Sequence, residues 1–293
     1  MLLFSYLLMS GVTTGALYAL VALGIVVVNK ATGVINFAQG EFFMFSGFVA
    51  WMLHVQMGIS YPLAFLLAVA VGFGLGCLTD LIAFRPLAKT DVVSLVLATV
   101  GIAFVLKGLA RTIWGGKADY LSFPPITSPD PVMIGNVMVI PQQLAVLAGT
   151  VVIMLAFAAF FRLTRAGKMM QATADNAKAA TLVGIRIDRV YTLAFGTGAA
   201  IAAAAAVLTA PLTLLYPDIG FMFFLKGFAA AVLGGLTSLP GAVAGGLIVG
   251  VVESLAGGYI HSSVMEVSPF VVIMIVLVLR PTGLLTFHRT RRV

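Results

Sequence analysis

The sequence predicts an all-α polytopic membrane protein of about eight to nine transmembrane helices, with one helical polar segment on the cytoplasmic side. Three observations carry that expectation. Apolar residues make up 61% of the 293 positions and charged residues only 9%, with a mean hydropathy of +1.12. A soluble domain carries about 25% charged residues because water must wet its surface. Apolar stretches recur near the roughly 20 residues that span about 30 Å of hydrocarbon. They are also continuous, as over 151–161 and 270–279, whereas barrel strands alternate apolar and polar residues. In lipid a helix satisfies its own backbone, so helices are the remaining solution.

Nine apolar segments follow in order: Tyr6–Val28, Val34–Val55, Tyr61–Phe84, Val92–Ile113, Gln142–Phe161, Val190–Ala210, Phe221–Leu236, Ala242–Ile260 and Pro269–Leu285. The first lacks a basic n-region and a small-residue cleavage site, so it reads as a retained span. The second opens on a polar cluster, and the seventh is short and contains Lys226. Short loops rich in Lys and Arg stay in the cytoplasm. Alternating the spans from an outside N-terminus puts Lys30, Arg85, Lys89, Arg162, Arg165, Lys168, Lys178, Arg186, Arg189, Arg280, Arg289, Arg291 and Arg292 at the inner face. Of the 17 basic residues, Lys107, Arg111, Lys117 and Lys226 fall elsewhere. The C-terminus is then cytoplasmic, and the net charge of +7 anchors the inner face to anionic lipid. No basic run is interleaved with aromatics, so nucleic acid is not an expected partner.

The whole chain, 1–293, reads as a single transmembrane domain with two long polar stretches. Residues 114–141, with Asp119, Asp130, Pro124, Pro125, Pro129 and Pro131, form an external, ordered but irregular loop. Residues 164–189 form a cytoplasmic loop. Within it Gly167 to Ile185 reads as one short helix of good helix formers. Gly184 stands where a left-handed residue ends such a helix, and Ile185 can close the cap. Ala172, Ala179 and Ala180 lie close at helical spacing. Such a small-residue face lets another protein approach and grips lipid poorly.

Gly167-Lys168, Ala172, Asp175-Asn176, Ala179 and Gly184-Ile185, followed by Asp188-Arg189-Val190, resemble the cytoplasmic coupling loop of branched-chain amino acid ABC permeases of the LivH/LivM type. Gln171 departs from the basic residue expected before Ala172. Two further stretches resemble the same family near the N-terminus, Gly11 to Leu20 and Gly33 to Glu41. A third, the glycine-rich run Lys226 to Gly246, lies near the C-terminus. The resemblance implies the permease subunit of a bacterial ABC importer in the cell inner membrane, carrying branched-chain or related amino acids. It implies as partners a second permease (related or identical), two cytoplasmic ATPase subunits that hold ATP and Mg, and a periplasmic solute-binding protein. It also implies that the coupling helix docks on the ATPase.

Other polar residues read two ways. Asn36, Gln39 and Glu41 are either a solvated turn or a break between helix pieces lining a translocation path, with Gly33 and Gly40 supplying unusual backbone angles. Lys226 and Glu253 lie within spans, where an ionisable group costs several kcal/mol and faces a cavity or a partner. Both are expected to face the interior, pairing with each other or lining a polar patch of the path, the alternative for Lys226 being to snorkel outward. Gly234-Gly235, Gly241 and Gly245-Gly246 read as close helix packing. Asp80, Lys107 and Arg111 read as interfacial, and Cys77 as a small packing residue.

Catalytic and metal motifs are missing from the sequence. Gly116-Lys117 and Gly167-Lys168 lack the upstream glycine and the following Ser/Thr of a phosphate-binding loop, so no cofactor is expected in this chain. His54, His261 and His288 form no metal or catalytic spacing. The competing reading is a self-sufficient, ion-coupled secondary transporter or channel. It would need intramembrane acids and bases, for which Glu253, Lys226 and Asp80 are sparse material.

Overall fold

The computed structural model describes residues 2–87, 90–115, 120–128, 130–134, 137–280 and 283–285. Lys89, Lys117, Asp119, Pro129, His288, Arg289, Arg291 and Arg292, which enter the reading above, lie outside the described residues. The chain folds as an all-α polytopic membrane protein. Its helices are α1 (Leu2–Thr32), α2 (Gln39–Trp51), α3 (Tyr61–Thr79), α4 (Arg85–Leu87), α5 (Val92–Ile113), α6 (Pro141–Leu163), α7 (Arg165–Asp175), α8 (Ala177–Leu182), α9 (Ile187–Thr209), α10 (Ile219–Gly234), α11 (Leu239–Tyr259) and α12 (Ser262–Leu279). A π-helical turn, Met52–Gln56, extends α2, and another, Asp80–Phe84, joins α3 to α4.

Among the described residues seven helices are long and apolar enough to cross a membrane. The two remaining segments of the nine, the second and the seventh, are the shorter helices α2 and α10, and both begin inside the bundle. Gln39, the first residue of α2, donates from Nε2 to the Gly198 carbonyl of α9 at 2.8 Å and lies against Gly24 of α1. Gly24 stands two turns before the end of α1, so α2 starts roughly 12 Å into the bundle. The stretch from Gly33 to Ala38 climbs that distance as non-helical chain. Its peptide groups find protein partners, as when Phe37 N–H donates to Thr99 Oγ1 of α5 at 3.2 Å. Irregular backbone at membrane depth survives only with such partners. α2 then runs toward the end of the bundle that carries the 114–141 segment, where Trp51 Nε1 donates to the Ser122 carbonyl. α10 runs the opposite way, toward the end that carries α7 and α8, where the Leu236 carbonyl accepts from Asn29 of α1.

These two short helices are related by an inverted repeat. Gly40, Phe43, Gly47, Phe48 and Ala50 recur, at constant offset, as Gly220, Phe223, Gly227, Phe228 and Ala230. Their first turns touch: a Cβ on Gly40 would run into the Gly220 carbonyl, and one on Gly220 into the Gly40 carbonyl. The flanking long helices obey the same relation. Gly72 and Gly76 of α3 press on Ala199 and Phe195 of α9, and Gly246 and Gly250 of α11 press on Ala19 and Gly15 of α1. Small residues bring backbones together in a solvent that offers no hydrophobic drive to do so. The core is accordingly rich in alanine, with Ala199, Ala202, Ala203, Ala205 and Ala206 of α9 fully buried.

Several boundaries differ from the sequence expectation. The ninth segment starts at Ser262, not Pro269, and Pro269 lies inside α12. Proline supplies no N–H to the carbonyl of Met265, and the Ser268 hydroxyl donates to it instead, at 3.3 Å. The 114–141 segment is less irregular than its prolines suggest. It holds a short antiparallel pair, Val132–Ile134 with Val137–Val139, and Leu121 bridges to Leu215 before α10. Asp80, at the end of α3, is buried within the protein; it accepts from Thr192 Oγ1 at 2.6 Å and pairs with Arg85 at 3.4 Å. Cys77 packs at the α3–α9 seam, where Gly196 leaves room for its sulfur, as a small packing residue should.

Glycine position by position tests this architecture. Gly250→Leu would drive a side chain into the backbone of Gly11 and Gly15, whereas Gly74 has open space beside it. Overpacking costs about 1–3 kcal/mol. Thermal unfolding of the purified protein in detergent should therefore show a clear drop for Gly250→Leu and a wild-type transition for Gly74→Leu.

Candidate functional site

The meeting point of α2 and α10 forms a polar site inside an apolar bundle. Glu41 occupies the first turn of α2 and is buried, and Asp218 directly precedes α10. Helix N-termini favour negative charge, so each short helix starts beside a carboxylate. Between them stands Lys107 of α5. Its Nζ donates to Asp218 Oδ1 at 2.9 Å and lies 3.8 Å from Glu41 Oε1. Arg111, one turn further along α5, reaches Asp218 Oδ2 at 3.1 Å. Glu41 Oε2 is buried without a hydrogen-bond partner. A partly open pocket of about 100 Å³ adjoins these groups and is walled by Phe37, Val100, Ala103, Phe104, Phe221 and Phe224.

Asn36 and Gln39 face away from that pocket's charges. Asn36 Oδ1 accepts from Ala38 N–H at 3.0 Å and turns the chain into α2. Gln39, fully buried, ties α2 to the α1–α9 crossing. With Asn36, Gln39 and Glu41 all buried, the solvated-turn reading is set aside. Lys226 and Glu253 form a second, separate polar cluster: their side chains pair directly between α10 and α11, with Lys226 Nζ 5.5 Å from the centre of the Tyr18 ring of α1. The outward-snorkelling alternative for Lys226 is therefore excluded.

The polar segment that follows α6 folds back on the bundle. Thr164 caps α7 by accepting from Gly167 N–H, and a Cβ on Gly167 would collide with Phe161. Gln171 donates to the Phe161 carbonyl at 3.0 Å, so its amide anchors the segment to α6. One helix was expected from Gly167 to Ile185, but the chain breaks at Asn176. That residue is extended, and its Oδ1 accepts from Ala179 N–H, which starts α8. Asparagine competes with the helical backbone for hydrogen bonds in this way. Gly184 adopts the expected left-handed conformation, with φ +87°. Gly184 N–H bonds the Thr181 carbonyl and Ile185 N–H the Ala180 carbonyl, which closes the cap. Met170 and Ile185 pack with Val27, Phe161 and Val190.

The exposed face of this segment is not the alanine face expected. Ala180 is buried and Ala172 half-buried, while Ala179 is exposed. Leu182 and Val183 project instead, 88% and 77% exposed, beside the exposed side chains of Lys168, Asp175, Asn176 and Lys178.

The family model described as the branched-chain amino acid transport system / permease component matches residues 7–279. The chain belongs to this permease family. The high-affinity branched-chain amino acid transport system permease protein LivH of Salmonella typhimurium is 33% identical, over 94% of this chain and 93% of that one. The corresponding BraD protein of Pseudomonas aeruginosa is 32% identical, over 95% and 94%. A chain of the solved PsaBC complex of Streptococcus pneumoniae with Fab shares the fold, with a TM-score of 0.52, 12% identity and coverage of 92% and 90%. A membrane-embedded transport permease subunit is thus favoured over a self-sufficient transporter.

In this permease Glu41 is legible in the sequence as a polar residue between spans, but its partners are not. Hydropathy places Lys107 and Arg111 near a span end and gives Asp218 no distinction. Only the drop of the 213–218 segment back into the bundle brings Asp218 to α5. One signal was legible: Lys107 and Arg111 share a helix face on the side assigned to the exterior, where basic residues are scarce.

The Lys226–Glu253 pair has a measurable consequence. Removing one partner of a buried pair strands the other and costs about 3–5 kcal/mol. Lys226→Met should lower the unfolding temperature sharply, and the double change Lys226→Met with Glu253→Gln should recover most of the loss in the same thermal assay.

Proposed function

We propose that this permease is the membrane-spanning subunit of a bacterial inner-membrane ABC importer for branched-chain or related amino acids. Separate ATPase subunits, carrying ATP and Mg, hydrolyse the nucleotide, and this chain needs no cofactor of its own. A second permease, related or identical, completes the path, and a periplasmic binding protein delivers the solute. In this reading the whole chain is one permease domain. The 164–189 segment and the C-terminus are cytoplasmic, and 114–141 is external.

The observation that carries the proposal is the α7–α8 projection. It is polar, folded and capped, yet it ends in two large apolar side chains, Leu182 and Val183, that stand exposed among the described residues. Exposed apolar groups rimmed by charge mark a protein docking site. Gly167, Ala172, Gly184 and Ile185 shape the projection, while Lys168, Asp175, Asn176 and Ala179 form its rim. Closure of the ATPases on ATP pulls this handle. α6 and α9, continuous with it on either side, carry the displacement into the bundle through Gly198, Gln39 and the start of α2. The path lies at the α2–α10 meeting point beside Glu41, with Asn36 and Gln39 setting its backbone. Lys226 and Glu253 hold α10 against α11 behind it.

Co-purification and transport test this together. Leu182→Asp with Val183→Asp should release the ATPase during purification while the permease retains its wild-type unfolding temperature. Reconstituted wild-type uptake should require ATP and the ATPase and continue in a proton uncoupler at fixed ATP. Uptake that collapses with the proton gradient alone would instead point to the ion-coupled reading.

A further inference from the structure

We infer that the pocket between α2, α5 and α10 is a transit site that recognises a zwitterionic α-amino acid with an apolar side chain. The inference rests on the importer reading and deepens it. Selection would then occur twice, once outside the membrane and once within this chain.

Three features of the pocket point to that chemistry. Glu41, which lines the pocket, carries a buried carboxylate oxygen with no hydrogen-bond partner that an entering ammonium group could satisfy. Leaving such an oxygen unsatisfied is costly, and an incoming N–H donor removes the cost. Lys107 has one of its three donor directions committed to Asp218, and its ammonium stands 3.8 Å from Glu41. It can turn a free donor toward a carboxylate at the distance that separates the two charged ends of an α-amino acid. The remaining walls are apolar, from Phe37, Phe104, Phe221 and Phe224 with Val100 and Ala103, and take an aliphatic side chain.

Charge balance narrows the ligand further. The site holds two carboxylates, Glu41 and Asp218, and two cations, Lys107 and Arg111. A net ion entering would leave this balance broken in a medium that penalises unpaired charge. A zwitterion does not. It splits the long Lys107–Glu41 contact and replaces it with two shorter ones. The pocket is also only partly enclosed, so it can hold a solute briefly, as passage requires.

The test reads binding directly, without the binding protein. The assembled importer in lipid nanodiscs is probed by saturation-transfer NMR with three compounds of the same aliphatic skeleton. Leucine carries both charges, leucinol lacks the carboxylate, and 4-methylpentanoate lacks the ammonium. Leucine should bind at least about tenfold more tightly than either, since each lost charged hydrogen bond is worth that much. Glu41→Gln, which keeps the shape and removes the charge, should abolish the advantage over 4-methylpentanoate. Lys107→Met should abolish the advantage over leucinol. In ATP-driven uptake, Glu41→Gln should lower kcat while leaving the KM for loaded binding protein in place. Equal binding of the three compounds, or leucine preference intact in both variants, overturns the proposal, as does a change confined to KM. ATP-dependent uptake by wild type is scored separately, so failure of the pocket leaves the importer reading standing, and failure of that reading shows as ATP-independent uptake.

Discussion

Everything in this bundle follows from the back-to-back contact of Gly40 with Gly220. Two helices that start mid-bundle leave the first N–H groups of each without intrahelical partners, and lipid offers none. Bringing the two starts together inside protein solves this for both at once. Only glycine permits the approach, because a Cβ on either side would strike the other's carbonyl. The extended segments before α2 and α10 are then forced to enter the bundle from opposite ends, each with partners of its own.

That arrangement concentrates polarity where the rest of the chain has none. Two helix N-termini in one place favour carboxylates, and Glu41 and Asp218 occupy those positions. The carboxylates in turn require cations, which α5 supplies from one face as Lys107 and Arg111. A charged cluster in a membrane protein is expensive unless it is paired, and this one is paired except for one oxygen of Glu41. The second cluster, Lys226 with Glu253, pairs through one Glu253 oxygen beneath the Tyr18 ring, leaves Glu253 Oε2 without a hydrogen-bond partner, and braces two helices. The first cluster adjoins a pocket with Glu41 and Lys107 on its wall.

In the proposed importer, motion would reach this centre through small residues. α9 carries the α7–α8 projection at one end and, at Gly198, the carbonyl that holds Gln39. Its alanine-rich face packs against α1, α2 and α3 with little side-chain interdigitation to resist sliding. A displacement of the α7–α8 segment, as proposed, would therefore have a short mechanical route, through one helix and one hydrogen bond, to the start of α2.

Composition and periodicity alone determined that the chain is a helical, multi-pass membrane protein, because charge scarcity and run length are sums over many residues and survive local error. They also located the capped polar segment, since Gly184 and Ile185 act through local backbone geometry. The inverted repeat was present as Gly40-to-Ala50 against Gly220-to-Ala230, yet a recurrence of five common residues acquires meaning only when the two copies touch. The break at Asn176 and the outward turn of Leu182 and Val183 depend on which face of the segment Phe161 and Met170 claim. Above all, the union of Glu41, Lys107 and Asp218 required tertiary structure. These residues are far apart in sequence, and a hydropathy profile reads depth along straight helices, whereas here the backbone folds back into the bundle and carries Asp218 to a helix it never adjoins in the chain.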